Sequence, residues 1–321
     1  MSAASPRITR LAPSPTGALH LGNARTFLIN WLLARQNGWR ILLRIEDLDG
    51  PRIKRGADMQ AIDDLKWLGL DWDEGPVYQS SRRDHYLRAV GQLIRAGHVY
   101  PCICSRKDTE RAASAPHADD GATVYPGTCR NRFASLEAAE LAAAGRPRAL
   151  RFRVPNEQLT FTDTFAGPRT FDLARQLGDF VITKSDNTPA YQLAVVVDDA
   201  DAGVTDVVRG DDLIDSTPRQ ILLYRALGLS DRIPTYCHLP LITGPDGRRL
   251  AKRHGDTRLA SYREAGVPAS RVLGLLARWC GVRPINDPET AADLLPNFRI
   301  EQVLHEPIIF TDTDHRALNA P

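Results

Sequence analysis

The feature that most constrains this chain is a strand–loop–helix unit at its N-terminal end, followed at once by a second strand. Residues 7–12 (RITRLA) read as a short strand, broken by the loop Pro13-Ser14-Pro15-Thr16-Gly17. Beyond the loop, Leu21, Ala24, Leu28, Trp31, Leu32 and Arg35 recur at helical spacing until Gly38, a suitable helix stop. Residues 39–45 (WRILLRI) form a mostly apolar run of strand length that ends on the acidic Glu46-Asp47-Leu48-Asp49. Two amphipathic segments, 57–68 and 83–96, then stop at Gly69 and Gly97. This order predicts an α/β fold in which crossover helices join the strands of a parallel sheet.

The middle of the chain changes character. Residues 101–147 carry a cysteine cluster, a polar stretch at 111–123 and an alanine-rich helix near 135–144, and residues 148–183 read as short strands (ALRFRV, TFTDTF, DFVIT). Such a block suits an insertion between two halves of a nucleotide-binding fold. Alternating βα character resumes with 190–198 (AYQLAVVVD), 204–209 and a helix near 217–227, for which Ser216 is the expected N-cap and Pro218 a first-turn residue. Residues 238–243 (HLPLIT) read as one strand, after which a Gly-Pro-Asp-Gly turn leads into a basic loop at 248–254 and then helices. The expected division is therefore 7–100 and 186–257 for the two halves, 101–185 for the inserted lobe, and 258–321 for a helical C-terminal segment.

Composition narrows the function classes. The chain has 321 residues, 43% of them hydrophobic, and no apolar run near the roughly 20 residues a spanning helix needs. With no secretory leader in Met-Ser-Ala-Ala-Ser-Pro-Arg, the expectation is a cytoplasmic protein without a membrane partner. A net charge of +2 means that any nucleic-acid contact must come from a local basic face. Lysine is scarce against arginine: Lys54, Lys66, Lys107, Lys184 and Lys252 are all there are, so a lysine inside a motif carries weight. Five cysteines in a cytoplasmic chain argue for metal binding or buried thiols over a disulfide framework. Cys237 and Cys280, alone in apolar settings, are expected in cores.

Two segments carry the chemistry. In Pro13 to Asn23 (PSPTGALHLGN), a loop enters a helix N-terminus, where backbone N–H groups and the helix dipole attract phosphate. His20 can donate to phosphate oxygens, and Gly22 permits close approach to the backbone. In Arg248-Arg249-Leu250-Ala251-Lys252-Arg253, a cationic loop can neutralise charge developing on an α-phosphate and on departing pyrophosphate. Taken singly, either reads as a capping loop or a solvated basic loop. Together, in this order and about 230 residues apart, they resemble the HIGH and KMSKS signatures of class I aminoacyl-tRNA synthetases. Arg44-Ile45-Glu46-Asp47-Leu48-Asp49, Ala194 to Asp199 (AVVVDD) and Gly203 to Gly210 (GVTDVVRG) are similar to the glutamyl/glutaminyl branch of that class, and the likeness runs from about residue 7 to 280.

That resemblance implies a Rossmann-type parallel sheet with an inserted zinc-containing lobe and a short C-terminal helical segment. It also implies a site. Arg10, Leu11, Ala12, Pro13 and Ser14 match the segment that holds glutamate, Glu46 matches the acid that receives its α-ammonium, and Tyr191 and Arg209 match two more pocket residues. Arg209 is suited to a bidentate carboxylate pair. His20, Gly22, Asn23 and Lys252 match ATP-binding positions, with His20 and Lys252 as the catalytic pair and Mg²⁺ accompanying ATP. The implied chemistry is in-line attack of a glutamate carboxylate on the α-phosphate. Three departures stand out. Ala251 replaces the serine of the second signature, Arg249 replaces its first lysine, and Val195 stands where tRNA-charging enzymes carry asparagine. Weaker activation and a modified pocket are expected.

Cys102-Ile103-Cys104, Tyr125 and Cys129 offer three thiolates and a phenol, although Cys-x-Cys is a less typical zinc spacing than Cys-x₂-Cys. His117 or water is a rival fourth ligand. Only about seventy residues follow Lys252, which leads us to expect no anticodon-binding domain. The chain thus resembles truncated glutamyl-tRNA synthetase paralogues that carry a structural zinc of this ligand form. They glutamylate queuosine at the wobble position of tRNA(Asp), without tRNA in the activation step; a monomer is expected. Charging of a tRNA 3′ end, a different adenylate-forming ligase, or a non-catalytic RNA-binding role encouraged by Ala251, remain the alternatives.

Overall fold

In the computed structural model, residues 6–48, 50–105, 107–108, 124–145, 148–248, 250, 256–282 and 288–318 are described. Strand β1 (Ile8–Leu11) leads through helix α1 (Leu21–Asn37) to β2 (Arg40–Ile45), and α2 (Ala57–Trp67) leads on to β3 (Glu74–Tyr78). The three strands pair in parallel in the order β1–β2–β3. β2 is central, and its five buried residues from Ile41 to Ile45 are the unbroken run that a strand covered on both faces requires. Gly38 ends α1 with a left-handed φ of 65°. Asn30 clamps α1 to β1: its Oδ1 accepts from the Thr9 hydroxyl at 2.9 Å and its Nδ2 donates to the Arg10 carbonyl at 2.9 Å. The hydrophobic pattern gave no sign of β3. It is an edge strand, where Gly75 and Pro76 are tolerated. Helix α3 (Arg83–Arg95) completes this half.

The inserted segment begins with β4 (Val99–Cys102), helix α4 (Leu136–Ala143) and β5 (Ala149–Phe152). A hairpin of β6 (Gln158–Asp163) and β7 (Gly167–Asp172) follows, and then β8 (Val181–Thr183), which closes an antiparallel sheet β4–β5–β8. These strands do not bury a core of their own. Leu150, Phe152, Leu159 and Leu173 pack in one cluster with Leu193, Val207, Ile221 and Tyr236 of the following segment. Only Tyr100, Cys102, Ile103, Tyr125, Cys129 and Ala143 form a separate small cluster.

The second half runs α5 (Tyr191–Asp201), β9 (Asp206–Gly210), α6 (Ser216–Ala226) and β10 (Thr235–Leu239). Val195-Val196-Val197 would disfavour an exposed helix, yet α5 is buried from Leu193 to Ala200, so packing overrides propensity. β9 and β10 pair in parallel. The Thr205 N–H donates to the Ile8 carbonyl at 2.9 Å, and the Arg10 side chain reaches the Val208 carbonyl at 3.5 Å, bringing β9 alongside β1. The spatial succession is β3–β2–β1–β9–β10, with a switch point at the β1/β9 seam. The expected N-cap at Ser216 is not observed. Asp215 holds that position, and the Ser216 hydroxyl instead accepts from Gln192 at 2.9 Å. HLPLIT is also two strands, not one. Pro240 cannot donate to a ladder, so β10 ends at Leu239 and β11 (Ile242–Thr243) starts afresh. Helices α7 (Leu259–Glu264) and α8 (Ala269–Trp279) lead to β12 (Ile308–Ile309), which pairs with β11, and to α9 (Asp312–Leu318). The segment read as helical therefore also contains a strand. Cys237 and Cys280 are buried, as expected. Among the described residues no helix is long and apolar enough to cross a membrane.

One buried ion-pair network ties the halves together. The Arg44 guanidinium, on β2, reaches Asp199 on α5 and Glu46 at 3.1 Å, and Arg10 lies 3.5 Å from Asp199. Although burial opposes ionisation of Asp199, Arg44 and Arg10 hold its carboxyl below the usual range. Asp198 beside it accepts from Gln79 (2.8 Å), Arg82 (2.7 Å) and Tyr86 (2.9 Å), binding α5 to α3. We expect Asp199→Ala to destabilise the fold by about 3–5 kcal/mol in urea unfolding, because Arg10 and Arg44 lose the buried carboxylate they share, leaving Arg44 with Glu46 alone. The depressed carboxyl contributes stability above its unfolded pKa of about 3.9, lost as pH falls through the lower folded value, so the variant should show a shallower acid transition.

Candidate active site

The β1/β9 seam is where strand order reverses, and open α/β sheets bind ligands beyond the C-terminal strand ends at such a point. A cavity of about 190 Å³ opens there. Arg10 and Ala12 face it from the end of β1, Glu46 from just past β2, Tyr191 from the first turn of α5, and Arg209 and Gly210 from the end of β9. His20, Gly22 and Asn23 line it from the start of α1. A Cβ at Gly210 would lie 2.7 Å from the Asp212 carboxylate and 2.9 Å from Leu241, so a larger residue there would have to push these two side chains aside.

The residues of the Arg10–Ser14 segment divide their labour. Leu11 is fully buried in the core and does not line the cavity. Pro13 and Ser14 hold Glu46: the Pro13 carbonyl accepts from the Glu46 N–H at 3.0 Å, and the Ser14 hydroxyl donates to the Glu46 carbonyl at 3.2 Å. Burial pushes the Glu46 carboxyl above the usual carboxylate range, against the pull of Arg44 and Arg10. Arg209 is held on one side only. Its Nε donates to His238 Nε2 and its Nη2 to the Thr217 hydroxyl, both at 2.9 Å, while Nη1 is buried with no hydrogen-bond partner among the described residues. Two of its three nitrogens are thus engaged by protein, and the residue itself lines the cavity. Val195 is buried one helical turn beyond Tyr191 and is not among the cavity-lining residues.

The helix start is closed by a capping box. The Asn23 Oδ1 accepts from the His20 N–H at 3.4 Å, and Gly22 leaves room for the His20 ring, whose Cε1 would sit 3.1 Å from a Cβ. A second, basic cleft of about 670 Å³ also touches His20, with Lys54, Arg55 and Arg258 on its walls. Lys252 lies outside the described residues, as do Arg249, Ala251 and Arg253. Their flanks are anchored beside this site. The Leu250 N–H donates to Ile242 at 3.0 Å, the Thr257 carbonyl accepts from Leu21 at 3.0 Å, and Arg258 bridges to His20. Sequence reasoning missed Thr26, Phe27, Asp212, Leu241 and Ile242 as lining residues. A strand end and a helix face are legible in a sequence, but which residue of a loop turns inward is not.

The cysteine cluster assembles as a set of donors. The sulfurs of Cys102, Cys104 and Cys129 lie within 4.8 Å of one another, and the Tyr125 hydroxyl is 3.4 Å from Cys102 and 3.5 Å from Cys104. The same hydroxyl accepts from the Cys129 N–H at 2.9 Å, which fixes its place. Burial pushes the Cys104 thiol up to about 11, so without a cation it stays protonated. Three sulfurs and one oxygen around a common point form a four-donor set that suits a tetrahedral, thiophilic metal. Arg151 stacks on the Tyr125 ring at 3.7 Å and donates to Cys102 at 3.3 Å, matching the negative charge such a set would carry. His117 lies outside the described residues.

Comparison with known proteins agrees with this geometry. Residues 8–313 match the model of the class I tRNA synthetase (E and Q) catalytic domain. A glutamyl-Q tRNA(Asp) synthetase of Symbiobacterium thermophilum is 49% identical over 308 residues, covering 93% of this chain and 94% of that protein. One of Rhodopirellula baltica is 51% identical over 294 residues, 88% of each. A glutamate–tRNA ligase of Syntrophobacter fumaroxidans is 40% identical over 98% of this chain but 65% of its own length. Among solved structures, a glutamate tRNA ligase of Elizabethkingia meningosepticum in complex with its amino acid superposes with a TM-score of 0.80 at 29% identity, over 98% of this chain and 69% of that one. Its strand order, its cavity at the seam and these matches together make the chain a member of the glutamyl-Q tRNA(Asp) synthetases, ligases of the glutamyl/glutaminyl family of class I tRNA synthetases.

Proposed function

We propose that this chain joins glutamate to ATP as glutamyl-adenylate, without needing RNA for that step, and passes the glutamyl group to queuosine at the wobble position of tRNA(Asp). The observation that carries the first half is the charge pattern of the small cavity, lined by two guanidiniums, Arg10 and Arg209, and by two carboxylates, Glu46 and Asp212. Glutamate presents two carboxylates for the guanidiniums and one ammonium for Glu46. In this reading Glu46 takes the α-ammonium, Arg10 with the backbone of 10–14 and Arg209 take carboxylates, and Tyr191 forms the remaining wall.

ATP would enter at the start of α1, where His20, Gly22 and Asn23 meet its phosphates, with Mg²⁺ as its usual companion. A glutamate carboxylate oxygen attacks the α-phosphorus in line, and the bond to the β-phosphate bridging oxygen breaks to release pyrophosphate. No protein nucleophile is required, so positioning and charge stabilisation do most of the work. Lys252 is assigned to the phosphates, which the anchoring of its flanks beside His20 supports. Cys102, Cys104, Tyr125 and Cys129 would hold one structural zinc, tying down a region with a small core of its own.

The acceptor rests on the named relatives. Charging of a tRNA 3′ end is the second reading, favoured by glutamate–tRNA ligases 40–41% identical over nearly the whole chain. Glutamate-dependent ATP–pyrophosphate exchange by the purified protein alone tests activation, and its absence would also revive the non-catalytic alternative. Mass analysis of anticodon fragments of queuosine-containing tRNA(Asp), beside charging of tRNA(Glu), tests the acceptor. A glutamylated 3′ end with an unmodified anticodon would reverse the assignment.

Lys252→Ala should cut exchange about a hundredfold or more while changing glutamate binding little, as expected for a group that acts on developing phosphate charge. Equal losses in both would refute the role. Cys104→Ser should lower bound zinc and melting temperature together, and unchanged metal content would defeat the proposed cluster.

A further inference from the structure

Arg209 lines the cavity with its guanidinium held from behind, and that support reaches back into the inserted hairpin. His238, on β10, accepts from Arg209 Nε at 2.9 Å through Nε2, and its Nδ1 lies 2.6 Å from Asp163 Oδ2 at the end of β6. The His238 and Asp163 side chains are both fully buried. Because an arginine Nε is always a donor, His238 Nε2 must be bare and the ring proton must sit on Nδ1, where Asp163 accepts it. Asp163 Oδ1 is already occupied by three backbone N–H groups, those of Phe165 (3.0 Å), Ala166 (2.7 Å) and His238 (3.1 Å). The Thr217 hydroxyl also lies 3.3 Å from His238 Nε2, and the Tyr236 ring stacks on the imidazole.

We propose that Asp163 and His238 are positioning residues for glutamate selection, with Asp163 fixing the His238 tautomer that holds the Arg209 guanidinium in the cavity wall. The inference rests on the reading of Arg209 as a ligand of a glutamate carboxylate. It makes the hairpin β6–β7, in the inserted segment, part of the amino-acid site although neither Asp163 nor His238 lines the cavity. The placement has a chemical logic. A carboxylate set directly against Arg209 would compete with the substrate carboxylate for its charge, whereas a neutral imidazole orients the guanidinium and leaves that charge to the ligand.

Asp163→Asn discriminates between positioning and mere support. The three N–H groups at Oδ1 keep the amide oxygen there, so the amide NH₂ faces His238 Nδ1 and drives the ring proton to Nε2, donor against donor with Arg209. The expected result in ATP–pyrophosphate exchange is a rise in the KM for glutamate of about tenfold, one hydrogen bond's worth, with the KM for ATP within about twofold. In His238→Gln, whose amide oxygen can still accept from Arg209, adding Asp163→Asn should change the glutamate KM by less than about twofold, since no tautomer remains to be set. Equal losses from Asp163→Asn in both backgrounds would overturn the relay and leave Asp163 a hairpin cap. Nitrogen NMR of histidine-labelled wild-type protein should place the His238 proton on Nδ1, and a proton on Nε2 would overturn the relay even if no variant folds. Arg209→Lys separates the two levels. An unchanged glutamate KM there would sink the reading of Arg209 itself, whereas a raised one with an unaffected Asp163→Asn would sink only the relay.

Discussion

The pairing of Arg44 with Asp199 deep between the two halves of the sheet is the contact on which the site depends. Neither charge could be buried alone, and neither half supplies both. Arg44 comes from the central strand of the first half and Asp199 from the helix that opens the second, so the two can be satisfied only once the halves have met. The same pair draws in Arg10 and Glu46, two of the charged groups that face the cavity. Folding and site assembly are thereby one event: the network that makes the seam stable also sets the orientation of cavity-facing charges.

The polar groups that line the cavity are themselves backed by a layer of polar contacts. Pro13 and Ser14 hold the backbone of Glu46, Asn30 holds β1 against α1, and His238 with Thr217 holds Arg209. A rigid supporting layer lets charged groups sit close together without collapsing onto one another, which is what preorganised electrostatic catalysis requires. The basic cleft on the other side of His20 follows the same economy of position, since the residues flanking the cationic loop return to the start of α1 from both directions.

The cluster of possible metal ligands belongs to a different physical problem. Around it the buried apolar cluster is small, and the bulk of the inserted segment's strands pack instead with α5, α6 and β10. A few cysteines and a tyrosine can substitute for a core where chain length is short, because a metal bond is stronger per residue than apolar burial. Arg151 packed over the Tyr125 ring belongs to the same arrangement, and nothing in the spacing of the cysteines announces it.

What the sequence determined by itself was local or came from ordered motifs. Helical periodicity set α1, α2 and α3 within a residue or two, the glycine stops set their ends, and two loops about 230 residues apart pointed to the family through their resemblance to its two signatures. Where local rules competed with packing, they failed. Val195-Val196-Val197 lies in a helix because all its faces are buried, Pro240 divides a run that looked like one strand, and Ser216 gives up its cap to bond Gln192. Only the tertiary structure decided that β9 would lie beside β1, that Asp198 and Asp199 would serve different partners, and that Asp163, from an inserted hairpin, would stand behind Arg209 through His238. Those contacts span from 29 residues, between Arg209 and His238, to nearly 200, between Ile8 and Thr205; they are set by which surfaces bury together, and no spacing along the chain encodes them.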